Sequence, residues 1–453
     1  MKHPAEVFPA VGKPTITYVE REKGTNEKKL ETGIRNPGQI CLVTGPSKTG
    51  KTSLYRKVLP QIQRDELIIR CSGDLSAADF WACALESLNF ARLAEKSREW
   101  KLGLDAEIGL EGESGSKWLT RILGKVGFKI SGEGTFASRK EYVQAGISAK
   151  HLIPVLKELP VQLVVEDFHY LSQKVKREVF QQWKGFTDEG VSVIVVSTTH
   201  HAIDIAKSNA DLTGRTRFID VGQWSEEDLA EIPKKGFAYY SLKNSGIAQA
   251  LIARESVGLP IVAQQICQEI MVSRDMTPGS SDKHRAVTPD ETRSAQKKVA
   301  EELYANHKND YERLSTGPRK ASRKHPTYER ILASFALEPL KFSLKYHELM
   351  ERITKLTPPT TQPIPSASIG SSLNALATFQ NRSKLSLLEW HPVDQELYIL
   401  EPTFLFYLRQ KLGLENNTSN VQVRLTEFIE RLFSSSQGDL FRGKVNPKDG
   451  RHA

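Results

Sequence analysis

Residues Cys41 to Leu54 read CLVTGPSKTGKTSL. A β-prone run, Gln39 to Thr44, meets a glycine-bounded turn, and behind the turn Leu54 and Val58 recur at the spacing of one helix face. Gly45, Gly50, Lys51 and Thr52 satisfy G-x-x-x-x-G-K-[ST]. Strand, loop and helix in that order aim successive backbone N–H groups and a helix N-terminus at one point, which attracts phosphate. Glycine permits backbone angles and close approach that a side chain would block. The motif therefore assigns phosphate binding to Gly45, Pro46, Ser47, Lys48, Thr49, Gly50, Lys51, Thr52 and Ser53. Lys51 neutralises the β- and γ-phosphates, and the Thr52 hydroxyl is offered to Mg²⁺.

At 453 residues the chain is long enough for about two or three domains. The four cysteines form no C-x-x-C pair, so neither a zinc site nor a disulfide framework is expected, and a reducing, cytoplasmic setting fits. No run reaches the roughly 18 apolar residues that span a bilayer, so no membrane partner is expected. The net charge of +9 favours contact with polyanions, or is plain solvation; charge alone leaves both open.

A nucleotide loop needs an acidic strand end to support hydrolysis, and the apolar run Val161 to Val165 closes on Glu166 and Asp167. Glu166, with Thr52, is assigned to the metal, and Asp167 to activating the attacking water. The bland alternative is a pair of acids capping a surface strand. A further run, Val191 to Val196, ends in Ser197, Thr198 and Thr199, hydroxyls suited to a γ-phosphate or simply to a turn. Arg215 and Arg217 precede a strand at Phe218 to Val221. Arg215 is the candidate catalytic arginine acting on a nucleotide held by a neighbouring subunit, with Arg217 the alternative and an ordinary surface arginine the competing reading. With DELIIRC as another strand, the alternation predicts an α/β fold: a mainly parallel sheet flanked by helices, its ligand at the carboxyl ends of the strands. The glycine- and serine-rich stretch Gly103 to Lys140 reads as an insertion.

In this order the motifs resemble the AAA+ and STAND class of P-loop ATPases, near archaeal-type ATPases and origin-recognition proteins. Thr17 to Ile34 is similar to the segment that packs on adenine, with Tyr18, Val19 and Arg21 in the relevant positions. The stretch from Trp224 resembles a small helical lid, and ESVGLPIVAQQIC, with Gly258 and Pro260, the element by which such lids meet the nucleotide. Leu259, Pro260 and Ile261 stand where many AAA+ motors carry an arginine, which implies a nucleotide-gated switch more than a fast motor. ATP, rather than GTP, is implied by the resemblance alone. The implied organisation is a nucleotide-binding core over 1–222 with its insertion at 103–140, a lid over 223–275, a linker with one amphipathic helix over 276–324, a winged helix over 325–415, and a C-terminal helix and tail over 416–453.

The amphipathic stretch runs roughly from Asp290 to Leu314, followed by the basic cluster Arg319, Lys320, Arg323 and Lys324. Beyond it, three helical patterns and two β-prone runs follow the order of a winged helix. Ile369, Leu373 and Leu376 share the inner face of its third helix, and Ser366, Ser368, Ser371 and Asn374 share the outer one. Residues 301–453 hold 21 basic and 17 acidic side chains, a difference of +4 that is weak for a dedicated DNA reader. The expectation is an ATP-hydrolysing switch working as a homo-oligomer or with an effector protein. A DNA-associated, initiator-like or transposition-helper ATPase is the alternative.

Overall fold

The computed structural model describes residues 2–87, 149–198, 212, 214–243, 245–275, 285–317, 325–357 and 362–412. The insertion at 103–140, Thr199, the cluster Arg319 to Lys324 and the tail 416–453 lie outside the described residues. The chain divides into two compact units: a sheet unit, Gly12–Pro14 with Tyr18–Gly222, and a helical unit, Met1–Val11, Thr15–Thr17 and Gln223–Ala453.

The sheet unit runs α1 (Thr25–Arg35), β1 (Ile40–Thr44), α2 (Lys51–Gln61), β2 (Asp65–Arg70), α3 (Ala77–Ser87), α4 (Ala149–Glu158), β3 (Val161–Glu166), α5 (Gln173–Asp188), β4 (Val193–Val196) and β5 (Thr216–Asp220). Its five strands are ordered β2-β3-β4-β1-β5, and every pair is parallel. Strand side chains alternate between faces, so each apolar run serves two cores at once. Ile40, Leu42, Leu163, Val165, Val193 and Val195 pack under Phe80, Trp81, Phe180 and Trp183 from α3 and α5. Cys41, Val43, Val164, Ile194, Val196 and Ile219 pack under Leu30, Ile34, Leu54 and Val58 from α1 and α2. Such burial contributes roughly 1.5–3 kcal/mol per large side chain. A parallel sheet covered on both faces, with a glycine loop leading from β1 into α2, is the fold of P-loop NTPases, as the alternation of strands and helices predicts.

The helical unit begins with α6 (Glu226–Tyr239), α7 (Gly246–Glu255) and α8 (Pro260–Ser273). Ser225 caps α6 by accepting from the Asp228 N–H. Phe8 is seated on Gly236, where any Cβ would lie 2.0 Å from its ring, and packs with Phe237 and Tyr240. Where the spacing predicts one helix from Asp290 to Leu314, the chain forms α9 (Pro289–Glu302) and α10 (Asn306–Thr316). Both are packed: Ala295, Val299, Tyr311 and Leu314 are buried. The break brings Tyr304 and His307 onto Phe406 and Phe404, contacts a straight amphipathic helix would not make.

The unit continues with α11 (Thr327–Phe335), β6 (Ser343–Lys345), α12 (Tyr346–Lys355), α13 (Ser366–Ser383), β7 (Leu388–His391), β8 (Glu396–Ile399) and α14 (Thr403–Leu412). The three strands form an antiparallel sheet in the order β6-β8-β7. Ile369, Leu373 and Leu376 of α13 are buried, whereas Ser366, Ser371 and Asn374 are exposed and Ser368 is half-buried. All four cysteines are unbonded. Among the described residues no helix is long and apolar enough to cross a membrane.

Candidate functional site

The turn behind β1 needs backbone angles that few side chains tolerate. Gly45 has φ 146° and Gly50 has φ 98°, and Lys48 also lies in the left-handed region at φ 64°. A Cβ on Gly45 would sit 3.2 Å from both the Thr49 hydroxyl and the Val221 backbone. Thr49, fully buried, ties the turn by donating to the Pro46 carbonyl at 2.9 Å. Gly50 is the N-cap of α2, so Lys51, Thr52 and Ser53 occupy its first turn, where backbone N–H groups have no intrahelical acceptor.

Lys51 folds back over this turn, its Nζ donating to the carbonyls of Gly45 at 2.8 Å and Pro46 at 2.6 Å. Burial lowers its pKa to about 8, against the opposing pull of Asp167 and Asp220. The carboxylates come from the adjoining strand ends. Glu166, the last residue of β3, takes two hydroxyl donors on one oxygen, Oε1: Thr52 at 3.0 Å and Tyr55 at 2.8 Å. Its other oxygen lies 3.4 Å from the Arg70 guanidinium, which the β2–β3 register sets directly opposite.

Asp167 turns out of the strand with φ 59° and starts the short 3₁₀ turn Phe168–Tyr170. Burial, then the charge of Glu166, raise its pKa above the ordinary carboxylate value, while Lys51 and Arg70 oppose the shift. Ser197 and Thr198 follow β4, the strand between β1 and β3. The Ser197 N–H donates to the Val43 carbonyl at 3.0 Å. Both hydroxyl oxygens are buried without a hydrogen-bond partner among the described residues. Asp220 closes β5 opposite Thr44, its side chain accepting from the Gly222 N–H at 3.0 Å.

Tyr18 belongs to the same unit. Its hydroxyl donates to Glu27 at 2.6 Å, and the Lys57 ammonium lies 5.4 Å from its ring centre. Val19 is buried, and Arg21 reaches the carbonyls of Val221 and Gly222. Arg215 precedes the opposite end of β5, its carbonyl accepting from the Ile40 N–H. It is ion-paired with Asp188 at 2.6 Å, about 15 Å of strand away from the phosphate turn. Arg217 bonds Gln39 at 2.9 Å and lies against Gly33. Pro260 belongs to the helical unit as the first residue of α8; Gly258 before it has φ 79°, and a Cβ there would meet the Gln223 side chain at 2.2 Å.

The donor set fits a magnesium–nucleotide. A hydroxyl and a carboxylate are hard oxygen donors of the kind Mg²⁺ takes in small number beside phosphate. The ammonium of the half-buried Lys51 and the start of a helix complement the anion. Sequence reading passed over Tyr55, Arg70 and Asp220. The signals were modest: Tyr55 lies one helical turn beyond Thr52, and Arg70 and Asp220 are the last residues of their strands.

No family model matches the chain, and no curated protein matches it. Among solved structures it is similar to the Walker-type ATPase PABY2304 of Pyrococcus abyssi, at TM-score 0.48 and 17% identity, covering 89% of this chain and 99% of that one. It is similar to Cdc6p of Pyrobaculum aerophilum at TM-score 0.41 and 13% identity, over 95% and 99% of the two chains. For the Orc1 protein of Aeropyrum pernix, solved in complex with DNA, the values are 0.39 and 12%, over 95% and 98%. Likeness at this level carries no activity from one chain to another.

Proposed function

We propose that the chain is an ATP-binding and slowly hydrolysing switch of the AAA+/STAND type. The observation that carries this reading is the meeting of the Thr52 hydroxyl with the Glu166 carboxylate at 3.0 Å, beside the half-buried Lys51. Lys51 exchanges its two loop carbonyls for the β- and γ-phosphates. Thr52 and Glu166 would hold Mg²⁺, which would supply positive charge to offset that of the phosphates. Asp167, with its raised pKa, orients the attacking water and accepts its proton at the side-chain carboxylate. The hydroxyls of Ser197 and Thr198, without a hydrogen-bond partner among the described residues, supply further polar contacts at the same strand ends. Tyr18 packs on the base, and Pro260 serves the lid.

Arg215, about 15 Å of strand from its own phosphate turn, would serve a nucleotide held by a second copy, so turnover requires assembly. Both arginines have partners, Arg215 in Asp188 and Thr187 and Arg217 in Gln39, so Arg217 stays the alternative. In this reading the helices α11 to α13 with their three-stranded sheet are a winged helix that contacts protein. Its exposed Ser366, Ser371 and Asn374 offer no charge to a phosphate backbone. The deciding experiment is ATP turnover with and without duplex DNA, with particle mass followed in the same samples. Turnover that rises with assembly supports the switch; turnover that rises with DNA replaces it by the DNA-associated ATPase.

A further inference from the structure

Tyr55 is fully buried on the inner face of α2, its ring packed in the core with Leu30, Ile34, Val58 and Ile194. One apolar body and one polar tip make such a side chain a rigid strut, because packing of the ring fixes the hydroxyl. That hydroxyl donates to Glu166 Oε1 at 2.8 Å, the same oxygen that accepts from Thr52 at 3.0 Å. Thr52 and Tyr55 are three residues apart and so share a helix face. A threonine hydroxyl has one proton and two lone pairs: its proton goes to Glu166, and its lone pairs remain for a cation. We infer that Tyr55 is a positioning residue, holding Glu166 so that the Thr52 hydroxyl and the carboxylate together present one preformed magnesium site.

The inference rests on the nucleotide-binding reading and deepens it. Mg²⁺ tolerates little departure from octahedral geometry, so the spacing between its oxygen donors matters more than for a larger cation. Tyr55 touches Glu166 rather than the phosphate turn, so its hydroxyl governs the metal dependence of binding and leaves metal-free affinity alone.

The test uses the full chain and N-methylanthraniloyl-ATP, with fluorescence read first in EDTA and then across a Mg²⁺ titration. Tyr55→Phe is expected to leave affinity in EDTA within about two-fold and to raise the Mg²⁺ midpoint about 10-fold, the scale on which partners of metal ligands act. Tyr55→Met, which fills the same apolar space without a hydroxyl, is expected to give the same shift and serves if the phenylalanine variant does not fold. In a Glu166→Gln background, Tyr55→Phe is expected to add nothing further. An unchanged Mg²⁺ midpoint in a folded variant overturns the role of Tyr55 and leaves the nucleotide site standing. Equal loss in EDTA and in Mg²⁺ also overturns it, since a merely structural tyrosine behaves so. Failure of the unmodified chain to bind the probe at all overturns the nucleotide reading and this inference together.

Discussion

Arg409 of α14 is buried against Glu255 of α7, its Nη2 3.0 Å from one carboxylate oxygen and its Nε 3.3 Å from the other. A third contact, at 2.9 Å, runs to Glu338. Two ionised groups withdrawn from water persist only when each satisfies the other, and removing one strands a buried charge. Arg409→Met is expected to destabilise the helical unit by about 3–5 kcal/mol, whereas Arg409→Met with Glu255→Met recovers most of that loss. Urea unfolding of the three proteins checks it; equal stability of the single and double variants contradicts it. The same pair ties α14 to α7, so within the proposed switch the C-terminal helices travel with the lid helices rather than sliding on them.

Lys51 ties nucleotide binding to pH. Its pKa in the folded chain, about 8, lies below the ordinary 10.5, so between these values the unfolded chain holds the proton and the folded chain does not. Stability therefore rises with pH across that window, and below about pH 8 the cost of the buried charge is fully present. Phosphate demands the charged form. Affinity for ATP is thus expected to weaken by up to about tenfold per pH unit above 8, with uptake of close to one proton per nucleotide at pH 9. Calorimetry in buffers of different ionisation enthalpy reads the proton directly, and no uptake would contradict the assignment.

Asp167→Ala and Lys51→Ala separate binding from turnover. Lys51→Ala is expected to abolish measurable ATP binding. Asp167→Ala is expected to keep affinity within a few-fold and to lower turnover about 10²–10⁴-fold, the contribution of a positioned base. Fluorescence binding and phosphate release on the same preparations test both; unaltered turnover in Asp167→Ala removes it from the chemistry.

Arg215→Ala tests action across a subunit boundary. ATP affinity of the isolated chain is expected to stay the same, while turnover falls about 10³-fold at concentrations where the unmodified chain assembles. Mixing Arg215→Ala with Lys51→Ala is then expected to restore part of the turnover, because one copy keeps the nucleotide and the other the arginine. No recovery in the mixture argues against an arginine supplied in trans.

How much of this was legible beforehand follows from the range over which each interaction acts. Local pattern carries the parallel sheet: the near-continuous apolar runs at β1, β3 and β4 are dictated by burial on both faces, and Gly45 and Gly50 by backbone angles the turn demands. These depend on a residue and its near neighbours, so the sequence by itself determined them. Tertiary structure alone decided which side chains meet. Arg70 faces Glu166 across 96 positions of chain because β2 and β3 pair in one register. Tyr55 reaches the same carboxylate across 111 positions because α2 lies on the strand before it. The amphipathic pattern from Asp290 to Leu314 is continuous, yet the chain breaks at Leu303 so that Tyr304 and His307 join the aromatic cluster of α14. Periodicity records that a face is buried, and only packing decides against what.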